Sequence, residues 1–531
     1  MLAYQLERGP GAATLQGQLY ALVRRDVEGG ALGAGERLPS KRALARHLGV
    51  SVVTVEAAYG QLVAEGYLEA RPRSGYFAAD IPRPPHTPAP DATRNAPVLA
   101  PGVPRGVLAS GAMGSALLGA PAPALPDGLL ITTQRGNNPQ LRPNENTPAP
   151  ATSAVPATSA APIFADFSGA TPAAGAFPYA AWARTIRRVL ADESERTLLA
   201  ASGPQGSRAL REALAAHLRG LRGMEVDPGQ IVVGAGAQTL YHLLVQLLGR
   251  HRRFAVEDPG YPRLAATYRA EGAEVAPVAL DGDGPSVAAL RASGATVLHC
   301  MPSHQFPTGL VTPARRRHEL LAWAAEEPGR YLVEDDYDCE FRMAGRPLPA
   351  LQSSDATERV IYLNTFTKSL GAAFRIGYMV LPPHLARAFA RDLDFHACTV
   401  GALEQAALAR FIASGDYERH VNRLRARCRR VRDALLAALR ATPAGRAGRL
   451  AFEHVDAGLH FVLRVPGMGA AAQDALVRAA LARGVRMAPL SSYALGSTDA
   501  PSLTGRFLMA YGSVREEDAA EAARVIGDEC G

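Results

Sequence analysis

The sequence predicts a multidomain chain: a small winged helix-turn-helix domain, a flexible linker, and a large α/β domain built on a mostly parallel sheet. Three observations predict it. Two short helical patterns meet at the tight "GVS" turn of residues 49–51 and run into a strand, turn and strand. Between about 80 and 162 proline, alanine, serine and threonine dominate and no apolar period persists, which reads as a linker. Beyond it, short continuously apolar runs alternate with helical stretches, the pattern of strands buried on both faces. The expected domains are therefore 1–79, the linker 80–162, and 163–531.

With 531 residues, 47% hydrophobic and 20% charged, the chain has ordinary globular composition and room for sizeable cores. No apolar run reaches the roughly 18 to 20 residues that a membrane span needs. The opening "MLAYQLERGPG" lacks the order of a signal peptide, so a cytoplasmic protein is expected. The cysteines (Cys300, Cys339, Cys398, Cys428, Cys530) are odd in number and form no C-x-x-C pair. Neither a disulfide framework nor a metal site is expected. The net charge of +7 does not mark the first domain, because residues 1–80 hold nine Lys/Arg against eight Asp/Glu. Much of the excess lies in 417–440, where Val421, Leu424, Cys428, Val431, Leu435 and Leu436 recur at three- and four-residue steps. That is an amphipathic helix with a solvated basic face.

In the first domain, Leu15, Leu19, Leu22 and Val23 share a helical face over 14–28. Ser40 opens a helix through Leu48, Gly49 stops it, and Ser51 opens a second helix running to Glu65. "YLEA-RPRSG-YFAA" then makes a hairpin, the wing. Small hydroxyl and basic side chains at helix N-termini, where backbone N–H groups also face phosphates, suit a duplex DNA partner. Ser40, Lys41, Arg42, Ser51 and Thr54 are so placed, with Arg71, Arg73, Ser74 and Gly75 at the wing tip. The order of "LPS" plus basic residues, "LGVS", "T-V", "AY", "L-x-x-E-G-Y-L" and "SG-Y-F" resembles the winged helix of the GntR family of bacterial regulators over about 40 residues. One position departs: Val52 stands where that family often has arginine, and Glu56 follows one turn on, so base readout is expected to differ.

In the large domain the apolar runs are 230–236, 253–260, 296–302, 330–336, 360–366 and 376–382. Motifs follow their ends: Gly234 to Gln238, Asp258 to Arg263, His304 to Gly309, Asp335 to Asp338, and Lys368. Ligands of such sheets collect at strand ends. A lysine that bonds a carbonyl carbon needs an electropositive or desolvated setting, which Arg375 would help to provide together with a phosphate partner. Pyridoxal phosphate also needs a carboxylate against its ring nitrogen, for which Asp335 is the candidate. Tyr337 could meet the ring hydroxyl, Tyr261 could stack on the ring, and the turn "GAGAQ" at a helix start could hold phosphate.

The string "GAGAQ", "EDPGYPR", "PSHQFPTG", "EDDYDCEF", "TFTKSLGAAFRIGY" and "GRFLMAYG" resembles a fold-type-I, class I aminotransferase domain over nearly all of 163–531. Fused behind a GntR winged helix, it is similar to the MocR-type regulators. The resemblance implies that pyridoxal 5′-phosphate is held as a Schiff base on Lys368, with Asp335 at the pyridine nitrogen. It further implies phosphate ligands at Thr365, Arg375, Ala235, Gly236 and Gln238, with Tyr261 against the ring and Tyr337 at its hydroxyl. Arg506 would grip a carboxylate, and Arg263 is a second anion candidate. Aminotransferases usually carry "NPTG" where this chain has "FPTG", so Phe306 replaces an asparagine that tunes the ring, and His304 and Gln305 are expected to line the site. A homodimeric, DNA-bound regulator that senses an amino acid, an amine or the cofactor itself is expected over a working aminotransferase with a subsidiary winged helix.

Overall fold

The computed structural model describes residues 4–7, 14–71, 73–82, 162–169, 176–343, 349–456, 458–496 and 500–531. All but the ends of the expected linker, 80–162, lies outside the described residues.

The first domain comprises α1 (Leu15–Gly29), α2 (Lys41–Leu48), α3 (Val52–Ala64), β1 (Leu68–Arg71) and β2 (Gly75–Ala78). The Ser40 hydroxyl accepts from the Ala43 N–H at 3.2 Å, and the Ser51 hydroxyl accepts from the Thr54 N–H at 3.1 Å. Each thus satisfies a donor that the first helical turn leaves open. Gly49 ends α2 with φ of 62°, a conformation a β-carbon would strain. Leu19, Val23, Leu44, Val55, Tyr59 and Leu62 close the core between the three helices. The wing pairs Leu68 with Ala78 and Arg71 with Gly75, antiparallel.

The strands of the large domain are β3 (Ala165–Asp166), β4 (Ile231–Gly234), β5 (Arg253–Asp258), β6 (Glu274–Asp281), β7 (Gly284–Pro285), β8 (Val297–Cys300), β9 (Tyr331–Asp335), β10 (Val360–Thr365), β11 (Gly377–Val380), β12 (Ala451–Glu453), β13 (His460–Arg464), β14 (Val485–Arg486), β15 (Ala488–Pro489) and β16 (Arg506–Ala510). Eight of them form one sheet in the order β4-β11-β10-β9-β8-β5-β6-β7. The run from β10 to β6 is parallel, whereas β11 is antiparallel to both β10 and β4. The reason is length: the segment between β10 and β11 is too short for a crossover helix, so the chain must turn back. Lys368 and Arg375 lie in that short segment.

Every residue of β4, β8, β9, β10 and β11 is buried. Leu240, Leu244 and Tyr268 cover one face, and Leu320, Trp323 and Leu298 belong to a separate core cluster. A second sheet, β12-β13-β16-β15, is wholly antiparallel. The helix Asp416–Ala441 buries Val421, Leu424, Cys428, Val431, Leu435 and Leu436, the face its periodicity predicts.

The two domains touch through α3 and the helix Ala314–Glu326. The Ala314 N–H donates to the Glu65 carbonyl at 2.9 Å, and Arg24 Nη2 donates to the Ser354 hydroxyl at 2.6 Å. Ala314 packs into the core of the winged helix. No described helix is long and apolar enough to cross a membrane, and all five cysteines are free.

Candidate functional site

Five strand ends deliver the site. Asp335 closes β9 and is buried, with Oδ2 accepting from the Tyr241 hydroxyl at 2.7 Å. His299 Nε2 lies 3.3 Å from the same oxygen, and His299 Nδ1 lies 2.7 Å from the Tyr268 hydroxyl. Oδ1 of Asp335 is buried without a hydrogen-bond partner. Burial, followed by the charge of Asp335, pushes the Tyr241 and Tyr268 phenols far up, so both stay protonated as donors.

Lys368 sits on the single-turn helix Thr367–Leu370 just after β10, and its Nζ donates to the Gly169 carbonyl at 3.1 Å. The ammonium lies 5.9 Å from the centre of the Tyr337 ring. Burial holds the Lys368 amine below its ordinary range, with the Asp338 carboxylate opposing. Of the 57 Lys and Arg residues in the chain, only Lys41 and Lys368 are lysines.

Arg375, with φ of 49°, turns its guanidinium onto the Ala235 carbonyl at 2.9 Å. A β-carbon on Gly236 would lie 2.9 Å from the guanidinium carbon, so glycine is what leaves room for it. Gly236 caps the helix Ala237–Leu248 without a side-chain bond to its first turn, and Gln238 is exposed there. The Ala235 N–H donates to the Thr399 hydroxyl at 2.9 Å. Thr365 is buried at the end of β10, its methyl against Gly377.

Tyr337 is half-buried, and desolvation, then Asp338 and Asp335, keep its phenol protonated. Its hydroxyl lies 3.2 Å from His304 Nδ1, which in turn lies 2.8 Å from Asp338 Oδ2. Tyr261 is half-buried and meets Phe306 edge-on at 5.8 Å, and Phe306 also contacts Tyr493 and His460 by ring edges. Gln305 Nε2 donates to the Pro259 carbonyl at 2.9 Å and lies 3.3 Å from Glu257 Oε2. Arg506 opens β16 opposite Arg464 of β13 and stands 3.8 Å from Glu453, whose other oxygen is 2.8 Å from Arg464. Arg263 is exposed on the first turn of its helix and is not drawn into this cluster by any contact described.

In the winged helix, Arg42, Ser51, Arg73 and Ser74 are exposed, while Thr54 and Gly75 are half-covered. Lys41 is paired with Glu56 at 2.5 Å, and Arg71 with Glu69 at 2.9 Å. Ser40 and Ser51 spend their hydroxyls on caps. Val52 and Val53 at the start of α3 are 41% and 72% exposed, an apolar pair where most helices would place polar groups.

Sequence reasoning missed Tyr241, Tyr268 and His299 behind Asp335, and Thr399 at Ala235. A histidine inside the otherwise apolar run "TVLHCMP" was a signal for His299; Thr399 carries none.

Residues 171–526 match the family "Aminotransferase class I and II", and residues 15–77 match "Bacterial regulatory proteins, gntR family". The chain belongs to the MocR-type GntR regulators. Among its relatives, the MocR-type chain is 32% identical to the uncharacterized HTH-type transcriptional regulator YhdI of Bacillus subtilis, over 94% of this chain and 92% of that one. It is 34% identical to the probable rhizopine catabolism regulatory protein MocR of Rhizobium meliloti, over 89% and 86%. A multiple substrate aminotransferase from Thermococcus profundus superposes with a TM-score of 0.59 at 24% identity, over 70% of this chain and 92% of that one, and so shares the fold. The MocR-type regulator therefore combines a GntR helix-turn-helix, a DNA-binding unit, with an aminotransferase-like α/β domain.

Proposed function

We propose that the large domain holds pyridoxal 5′-phosphate on Lys368 and that ligand chemistry there changes how the winged helices of a homodimer engage duplex DNA. The observation that carries this reading is Asp335, a buried carboxylate held through Oδ2 and unpartnered at Oδ1. Such an oxygen is costly to bury unless a charged donor completes it, and a protonated pyridine nitrogen is such a donor.

Other residues fit the same group. Burial favours the neutral amine of Lys368, the form that can bond a carbonyl carbon. Arg375, the glycine at 236 and the N-terminus of the helix Ala237–Leu248 suit a phosphate, with Ala235, Gln238 and Thr365 beside them. Tyr337 offers a phenol for the ring hydroxyl, Tyr261 an aromatic face, and His304 a second polar neighbour. When bound, the group would supply an electrophilic carbon for an amine and an electron sink. The chain itself would hold the ring nitrogen protonated at Asp335 and anchor the phosphate at Arg375.

Arg506 is the proposed grip for an effector carboxylate, which would draw it from Glu453; Arg263, exposed, is the weaker second candidate. Phe306 offers no amide where aminotransferases place one and is packed among three rings, which favours regulation over full turnover. For DNA, the exposed groups Arg42, Ser51, Arg73 and Ser74 and the half-covered Thr54 and Gly75 join Ser40, Lys41 and Arg71 as the proposed contacts.

The test is a visible spectrum of cofactor-treated protein before and after borohydride, with peptide mapping of the adduct. A band fixed by reduction onto Lys368, and absent in a folded Lys368→Ala variant, is the expected result. Because Lys41 is the one other lysine, Lys41→Arg is a complete control for side-chain amines. An adduct elsewhere, or no band, would overturn the reading.

A further inference from the structure

His304 and His460 are each 3% exposed, their rings are 4.1 Å apart, and Nε2 of each is buried without a hydrogen-bond partner. That is the same signature shown by Asp335 Oδ1: a polar atom shielded from water and lacking its complement. The two nitrogens converge. The point where a β-carbon of Gly309 would sit is 3.4 Å from His304 Nε2 and 3.7 Å from His460 Nε2. Glycine at 309, with φ of 77°, lets the backbone come close to both nitrogens, since a β-carbon there would also lie 3.0 Å from that of His454.

Chemistry fixes what can enter. His304 Nδ1 lies 2.8 Å from Asp338 Oδ2, so this ring nitrogen carries a proton, and in the neutral ring Nε2 presents a lone pair. His460 sits in an environment that disfavours its charged form, first of all by burial. An imidazole held neutral, as burial favours for His460, does not attract anions; it offers one acceptor beside one donor. Lys368 stands near enough to His460, and Arg506 near enough to His454, for each cation to add to burial in disfavouring the charged imidazole. An amino acid with its amine at Lys368 and its carboxylate at Arg506 would carry its side chain past these rings.

We propose that His304 and His460 form a side-chain subsite for the effector, selecting an amino acid whose side chain ends in a hydrogen-bond donor, a hydroxyl or an ammonium. The inference rests on the cofactor reading above. A metal ion is the other occupant to weigh, because donor atoms of His304, Asp338 and His460 all lie within 4.8 Å of one another. Asp338 Oδ2, however, already faces His304 Nδ1 and accepts from the Leu459 N–H at 3.2 Å, leaving two nitrogens and too few open ligands.

The test uses full-length protein loaded with pyridoxal phosphate and confirmed by borohydride labelling at Lys368. L-Homoserine and L-2,4-diaminobutyrate are titrated against L-norvaline, and L-serine and L-2,3-diaminopropionate against L-2-aminobutyrate, following the visible band. At one of the two chain lengths a donor-bearing ligand should bind about tenfold or more tightly than its apolar isostere, because only it completes the buried nitrogens. Which of hydroxyl or ammonium wins names the effector class. His460→Phe should bring the ratio to near one with the Lys368 adduct intact, and His460→Gln should retain part of it. Ratios within about twofold at both lengths in the wild type, or ratios unchanged in His460→Phe, would overturn the subsite. One equivalent of Zn2+ retained after dialysis by the wild type and lost in His460→Phe would overturn it in favour of a metal. Failure of the labelling step would bring down the cofactor reading as well, and would be seen before any titration.

Discussion

Asp335 ends a buried relay of two phenols and an imidazole: Tyr241 and His299 meet one carboxylate oxygen, and Tyr268 stands behind His299. The free oxygen is where charge is worth most, since hydrogen bonds to a charged group contribute roughly 1.5–3 kcal/mol. Asp335→Asn keeps the shape and removes the charge, so cofactor retention should weaken by about 10- to 100-fold with the fold intact, as read by equilibrium dialysis. Glu257, near Asp335, behaves in the opposite sense. Burial pushes its carboxyl up from 4.5 to about 8, against the Met301 N–H and Gln305 that favour its charged form. The folded chain keeps this proton where the unfolded chain has lost it, so stability is fully present below pH 4.5 and declines as pH rises through about 8. Glu257→Gln should flatten that decline, so its melting temperature should fall less than that of the wild type between pH 6 and 8.5. An equal fall in both proteins would show that Glu257 is ionised in the fold. Lys368, Asp335 and Arg375 were legible because motifs name strand ends. Glu257 sits inside a strand, and Tyr241 and Thr399 reach the site only through tertiary approach, which no spacing encodes.

The helix-turn-helix shows what short elements announce about themselves. Ser40, Gly49 and Ser51 specify caps and a stop by local chemistry, and the structure places α2 and α3 between them. The same logic did not reach β6, which is mostly half-buried near the sheet margin, or the antiparallel sheet of β12, β13, β15 and β16, whose strands are short. Caps and recognition also compete. Ser51→Ala should cost about 1 kcal/mol of stability by releasing the Thr54 N–H, a loss visible in denaturant melts. Arg73 is different: it is exposed and holds no cap, so Arg73→Ala should leave stability unchanged while lowering the slope of log affinity against log salt by about 0.9. A slope equal to that of the wild type would remove Arg73 from the phosphate contacts. The exposed valines of α3 suit thymine methyl groups, so Val53→Ser should weaken binding in a sequence-dependent way without altering that slope.

At the scale of the whole molecule, one helix serves both domains. Ala314, at the start of the helix Ala314–Glu326, donates to Glu65 at the end of α3 and packs into the winged-helix core. One turn on, the buried guanidinium of Arg317 donates to the carbonyls of Thr312 at 2.9 Å, Pro302 at 2.7 Å and Pro349 at 2.9 Å. Pro302 and Thr312 bracket the loop that holds His304, Gln305, Phe306 and Gly309. A shift of this loop and a shift of the winged helix therefore share the same part, and each can bias the other only if that part has two arrangements. Gly66 is the point at which to test this. Its φ of 80° is tolerated by aspartate better than by most residues, and a β-carbon there would lie 3.3 Å from that of Pro313. Gly66→Asp should leave the winged helix folded and its salt dependence on DNA unchanged, while wedging it from the shared helix. In the wild type, adding cofactor or effector should change DNA affinity by a factor of about 5 to 150, the range of ordinary coupling energies. In Gly66→Asp that factor should fall to near one, measured by fluorescence anisotropy on the same duplex with and without ligand. A ligand response of undiminished size in the variant would mean that the signal crosses between domains elsewhere, and that the contact at Ala314 only holds them together.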